Sequence, residues 1–283
     1  MKSGNPYAIG CSYVYNTFCF WSGKELRAVV SLMKETIAEA KYQKNLILLT
    51  LILPTLRMAL MLMGQSSVPY QNDMVNAFGK SSNFDDIVGK HVLSVRQVYF
   101  VRLTEALIFR ELDQARDIID TYELVDESAS CHFSVTTTPR FYMRFYSGLV
   151  LFWLSREMGD KKKSSRSKWL ASGVECKMEI EKLAGLASTW NFENKAYLLQ
   201  AEEQFCRLNF EGAEKLYDAA ILSSKVHKFV NEEALANELA GHFYLETGRK
   251  NRSVHYFSQA FEKYSEWGAV AKANTLTNYL DGS

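Results

Sequence analysis

Two stretches near the end of the chain repeat each other at a fixed offset of 40 positions, and this self-similarity restricts the fold more than any other feature. Ala201 corresponds to Gly241, Ala213 to Ser253, Tyr217 to Phe257 and Ala220 to Ala260, each pair keeping its size class. A period of about 20–50 residues marks an array of supersecondary units that bury their apolar faces on one another. The order within a unit has a steric reason. Small residues let two helices approach to about 8–9 Å, and the aromatic fills the gap between one hairpin and the next.

Three-to-four-residue apolar spacing continues through most of the chain, with little two-residue alternation and few hairpin turn signals, so the fold class expected is all-α. Helices are predicted near 7–22, 24–42, 45–63, 84–111, 113–127, 138–159, 164–186, 191–207, 210–228, 230–247, 250–266 and 268–280. Gly23, Gly64 and Gly248 stand where helix ends favour a left-handed residue, and Asn191 and Asn231 stand at expected N-caps. The short connections predict antiparallel helix hairpins forming an α-solenoid, a single array over 1–283 with its clearest repeats at 191–228 and 230–266. Irregular structure is expected at 65–85, at 126–139 and at 161–168, the last a basic polar loop.

Apolar residues at 47% and charged residues at 23% describe a chain that folds rather than a disordered one. Lys plus Arg is 33 against 32 for Asp plus Glu, which leaves no positive field to hold a phosphate backbone, so nucleic acid is not an expected partner. Five cysteines without a C-x-x-C fit reduced, mostly buried thiols, and the broken apolar pattern after Met1 lacks a secretory leader. A cytoplasmic protein is the expectation. The run Leu46 to Met63 is nearly long enough to span a bilayer, but it carries Pro54 and Arg57. Arginine at mid-helix costs roughly 2.5–3.5 kcal/mol on insertion scales, so this segment is read as a helix covered on both sides by protein.

In the final unit Gly241, Tyr244, Gly248, Ser253, Phe257 and Ala260 fall at the small, aromatic, turn, small, aromatic and alanine positions of the tetratricopeptide repeat, which the unit resembles. It departs from that repeat at Asn237, where tryptophan is usual, and in having no closing proline after Ala260. Longer phrases carry a second resemblance: Asn5-Pro-Tyr-Ala-Ile-Gly, Phe20-Trp-Ser-Gly-Lys-Glu-Leu26, Asn231-Glu-Glu-Ala-Leu-Ala-Asn-Glu-Leu-Ala240, His242-Phe-Tyr-Leu-Glu-Thr-Gly-Arg249 and Trp267-Gly-Ala-Val-Ala-Lys272. They are similar to the TPR-like helical region of large multidomain signalling kinases of cyanobacteria, fungi and algae. In those proteins the region lies between a protein-kinase plus AAA-type ATPase module and GAF, histidine-kinase or cyclase modules. The resemblance implies a regulatory helical module, part or fragment of such a protein.

Catalytic patterns are missing. The nearest approach to a phosphate-binding loop, Gly79-Lys80-Ser81, has Met74 where its first glycine belongs, and no kinase catalytic-loop or metal-holding phrase occurs. His91, His132, His227, His242 and His255 include no pair four apart, so neither a metal site nor a cofactor site is expected. Cys131 beside His132 is adjacency without a demonstrated third member. The expected function is a non-catalytic scaffold that binds a protein, a peptide or a neighbouring domain of the same polypeptide. The rivals are an α-helical enzyme with a site assembled from scattered residues and a membrane-anchored helical protein.

Glu238, His242 and Glu246 recur every four residues and so form one stripe on a helix. Leu198, Glu202 and Cys206 occupy the matching positions one unit earlier. The expectation is an exposed acidic groove in which Glu202, Glu238, His242 and Glu246 contact a basic or polar peptide.

Overall fold

The computed structural model describes residues 6–65, 89, 91–128, 140–157 and 163–280. Among these residues there are twelve α-helices and no strand, as the periodicity predicts. They are α1 (Pro6–Trp21), α2 (Leu26–Tyr42), α3 (Leu46–Leu62), α4 (Val92–Ile108), α5 (Leu112–Ser128), α6 (Arg140–Glu157), α7 (Lys163–Leu186), α8 (Thr189–Cys206), α9 (Phe210–His227), α10 (Val230–Glu246), α11 (Lys250–Trp267) and α12 (Val270–Thr275), with a 3-10 turn at Thr277–Tyr279.

Three local expectations need correction. Helix α7 begins at Lys163, so most of 161–168 is helix rather than loop. The polar run forms the first turns of a helix whose other side buries Trp169, Cys176 and Ile180, and that buried stripe holds them in register. Ser188 rather than Asn191 caps α8, accepting from the Asn191 N–H at 3.3 Å, and Asn231 lies inside α10, where its side chain serves a tertiary contact. The segments expected to be irregular at 65–85 and 126–139 fall mostly outside the described residues.

Consecutive helices α6–α7, α8–α9 and α10–α11 pack as hairpins, and all eight positions of the 40-residue register are buried. The small residues are there because the neighbour needs the space. A Cβ on Gly241 would come 2.8 Å from the Phe257 ring, and one on Gly173 would come 2.9 Å from Phe152. Helices α9 and α11 bury a single stripe; on α11 it is Ser253, Phe257, Ala260, Tyr264 and Trp267. In contrast α3, α4, α6, α8 and α10 are buried along most of their length, and on α10 every residue from Asn231 to Tyr244 is buried. Helix α3 is covered as expected: Arg57 pairs with Glu105 of α4 at 2.9 Å. Among the described residues no helix is long and apolar enough to cross a membrane.

The two ends of the chain meet. Trp21 is packed among Phe100, Tyr142 and Tyr146, with ring centroids 5.0, 5.7 and 5.2 Å away. The Asn231 side-chain amide donates to the Trp21 carbonyl at 3.0 Å, and the Trp267 indole donates to the Lys24 carbonyl at 3.1 Å. Gly23 makes this approach possible, since its φ is +80° and a Cβ there would lie 2.3 Å from Asn231 Oδ1. Helix α12 packs on α3.

If the register positions are close-packed, Ala220→Leu and Ala260→Leu will each destabilise the protein by about 1–3 kcal/mol, while Glu262→Leu on the exposed side of α11 changes little. Urea unfolding of the three variants decides this, and equal midpoint shifts would show that the repeat register does not set the packing.

Candidate functional site

Four of the buried carboxylates take a cation from a helix that is not their partner in a hairpin, or that is joined to theirs only through the long connection from α3 to α4. Glu105 of α4 takes Arg57 of α3. Glu202 of α8 accepts from Arg156 of α6 at 2.5 Å and from the Tyr217 hydroxyl of α9 at 2.6 Å. Glu232 of α10 accepts from Lys195 of α8 at 2.7 Å and also from the Asn194 amide. Glu238 of α10 accepts from Lys272 of α12 at 2.6 Å and from the Tyr264 hydroxyl of α11 at 2.7 Å. Lys195 and Glu232 are each about 1% exposed, as are Lys272 and Glu238, so both pairs have given up water completely.

These surroundings move the titrations. Burial pushes the Glu238 carboxyl up, but the Lys272 ammonium and the His242 ring outweigh it and hold the group at about 2. Burial lowers Lys195 in spite of Glu232, and it lowers His242, which is flanked by Arg110 and Lys272 as well as by Glu238. Burial together with the Glu202 charge raises the Tyr217 hydroxyl well above its ordinary value.

The network runs into a polar cluster at the C-terminal ends of α4 and α6. Arg110, which follows α4 in a left-handed conformation at φ 59°, places its guanidinium carbon 4.0 Å over the Trp153 ring. Arg156, one turn beyond Trp153, stands 4.4 Å over Phe205 and within reach of the Cys206 sulfur at 3.8 Å. Glu246 reaches solvent at the end of α10, although the protein around its carboxyl displaces enough water to raise its titration.

The expected groove wall is therefore not a wall. Glu202, Glu238 and His242 are buried, and of the four residues assigned to partner binding only Glu246 is exposed. Leu198 and Cys206 are buried with them. The four-residue spacing does place Glu238, His242 and Glu246 along one stripe, but most of the stripe faces protein. Lys272 of α12 covers the Glu238 carboxylate, and His242 packs edge-on against Phe257 and Tyr279. Among the described residues no group of three or more His, Cys, Asp or Glu could hold a metal ion. Sequence reasoning missed Lys195, Lys272 and Arg156. The available signal was Lys195 itself, a cation set among Phe192, Ala196 and Leu199 where the helical pattern calls for an apolar residue.

No protein-family model matches the chain, and no curated protein sequence matches it.

Glu238→Gln leaves the buried Lys272 ammonium without its counter-charge and will cost about 3–5 kcal/mol, much of which Lys272→Met in the same chain restores. Because Glu238 is depressed from 4.5 to about 2, its contribution is complete above pH 4.5 and is lost as pH falls towards 2. Urea unfolding between pH 6 and 2.5 will show a shallower loss of stability in Glu238→Gln than in wild type. Parallel curves would mean that the carboxylate does not carry this stabilisation.

Proposed function

We infer that this protein is a non-catalytic, TPR-like helical-repeat scaffold that serves protein–protein or interdomain contact in signal transduction, as a cytoplasmic regulatory module associated with kinase-type signalling proteins. The solenoid reading rests on the 40-residue register, and the signalling context rests on the resemblance of the phrases around Phe20, Asn231 and Trp267. The titratable groups on the inner helices hold one another in paired, structural arrangements, which suits a scaffold better than a reaction centre.

In arrays of this kind the first helices of successive hairpins line a concave face that takes a peptide. In this chain Trp21 of α1 packs on α4 and α6 and accepts a hydrogen bond from α10, which argues against a peptide lying along those helices. Partner contact is therefore assigned to the outer side. The carrying observation is an exposed apolar group there: Leu222 and Val226, one turn apart on α9, are 61% and 59% exposed, and Trp190, 58% exposed, lies over His227 at 4.5 Å. Uncovered apolar side chains grouped on a soluble surface mark contact sites, and Trp is the residue type most enriched among binding hot spots. The partner is a protein or a neighbouring domain, with nucleic acid disfavoured by the balanced charge.

Changing Trp190, Leu222 and Val226 together to Ser will abolish association with the kinase-type or sensor modules of such signalling proteins while leaving the melting temperature within a few degrees of wild type. Purified modules and size-exclusion chromatography with light scattering provide the measurement. Unchanged association by a folded triple variant would place the contact surface elsewhere, and association with none of the modules would remove the signalling assignment.

A further inference from the structure

Basic charge borders the exposed apolar group at the end of the α8–α9 hairpin, and nothing in the protein answers it. The two segments that build this edge, 183–192 and 219–231, hold Trp190, Leu222 and Val226 on the outside and contain no acidic residue; their permanently charged side chains are Lys225 and Lys228. Contacts between the start of α8 and the end of α9 make the edge one surface. The Trp190 ring lies 4.5 Å from the His227 ring, the Ser223 hydroxyl donates to Glu193 at 3.1 Å, and the Asn194 amide donates to the Ser224 hydroxyl at 3.0 Å. Lys225 stands three positions after Leu222 and one before Val226, on the same exposed side of α9, and Lys228 follows His227 in a left-handed conformation at φ 61°.

The acids that bound these segments are engaged by the protein itself. Glu193 accepts from the Ser223 hydroxyl and from the Tyr197 hydroxyl at 3.3 Å, and Asp218 accepts from the Tyr256 hydroxyl at 2.6 Å. Glu232 is buried against Lys195, and Glu233, which lies within the field of Lys225, is buried beside Lys263 at 3.6 Å. Lys225 and Lys228 are exposed, and among the described residues neither makes an ion pair. Apolar surface bordered by unanswered cations sets the chemistry of what covers it. A second copy paired about a two-fold axis would bring these lysines against like charges. Anionic membranes are held by clusters of about 4–8 basic residues, which two lysines do not supply. We propose that this surface binds an amphipathic helix of a protein partner, whose apolar stripe lies on Trp190, Leu222 and Val226 and whose flanking Asp or Glu residues face Lys225 and Lys228. The proposal rests on the contact surface assigned above and adds the chemistry of its partner.

The test uses the full chain and a fluorescent designed peptide, a helix of about 16 residues with leucine at i, i+3, i+4 and i+7 and glutamate beside that stripe, together with a counterpart carrying lysine in place of the glutamates. Anisotropy titration gives saturable binding of the glutamate peptide, weakened by added salt, and binding of the lysine peptide weaker by about tenfold. Lys225→Glu with Lys228→Glu reverses the order of the two peptides, which a loss of packing alone would not do. The milder pair Lys225→Gln with Lys228→Gln narrows the difference to within about threefold. Changing Trp190, Leu222 and Val226 together to Ser abolishes binding of both peptides. If the glutamate reversal leaves the order unchanged while the serine variant still loses binding, the acidic partner is wrong and the contact surface stands; full binding by a folded serine variant removes the surface as well. The proposal is also overturned by no saturable binding of either peptide, by equal binding of the two, by a dimer of the chain that the serine variant abolishes, or by capture on vesicles of equal parts phosphatidylserine and phosphatidylcholine without binding of the glutamate peptide.

Discussion

Enclosing a charged helix on every side is the constraint that organises this molecule. Helix α10 carries Asn231, Glu232, Glu233, Asn237, Glu238 and His242, and all of them are buried. A carboxylate removed from water is tolerated only beside a cation and additional donors. Lys195 has to come from α8, Lys272 from α12 and Tyr264 from α11, and these needs fix where the neighbouring helices stand. Apolar packing would accept several rotations of α10 within its shell. The ion pairs accept one.

The same logic accounts for the closure of the chain. An open array leaves its inner helices wet on one side, and the Glu232–Lys195 pair would then be an ordinary surface contact worth little. With α1 and α2 against the inner helices, and α12 against α3, water is removed from that side. Lys195 then lies within cation–π distance of Phe229 at 4.6 Å and of Tyr142 at 5.6 Å, so aromatic faces take over part of the role that solvent plays at a surface.

Much of the fold was legible because it rests on sterics that recur locally. Gly241 opposite Phe257 and Ala260 within the α10–α11 hairpin follow a size pattern visible without coordinates, and the same pattern marks Ala213, Tyr217 and Ala220. The buried ion pairs were not legible in that way. A Glu at helical spacing reads the same whether water or a lysine lies beyond it, and the lysine answering Glu238 is 34 positions away on another helix. The acidic stripe was therefore read correctly as a line and wrongly as a surface. Asn231 looked like a cap because Asn is a good cap, and its use against the Trp21 carbonyl could not be inferred from its neighbours.

The bonds that join the two ends also set an order of events during synthesis. The contacts from Asn231 to Trp21 and from Trp267 to Lys24 span 210 and 243 residues, so the apolar side chains of α1 are translated long before the groups that enclose them. At about 5–20 residues per second the interval is on the order of 10–50 s. Throughout that time Phe20 and Trp21 have part of their final surroundings missing on a chain still held by the ribosome. Contacts this distant in sequence are the slow ones to form, so α1 waits uncovered on one side until α10 and α11 have followed it out of the ribosome.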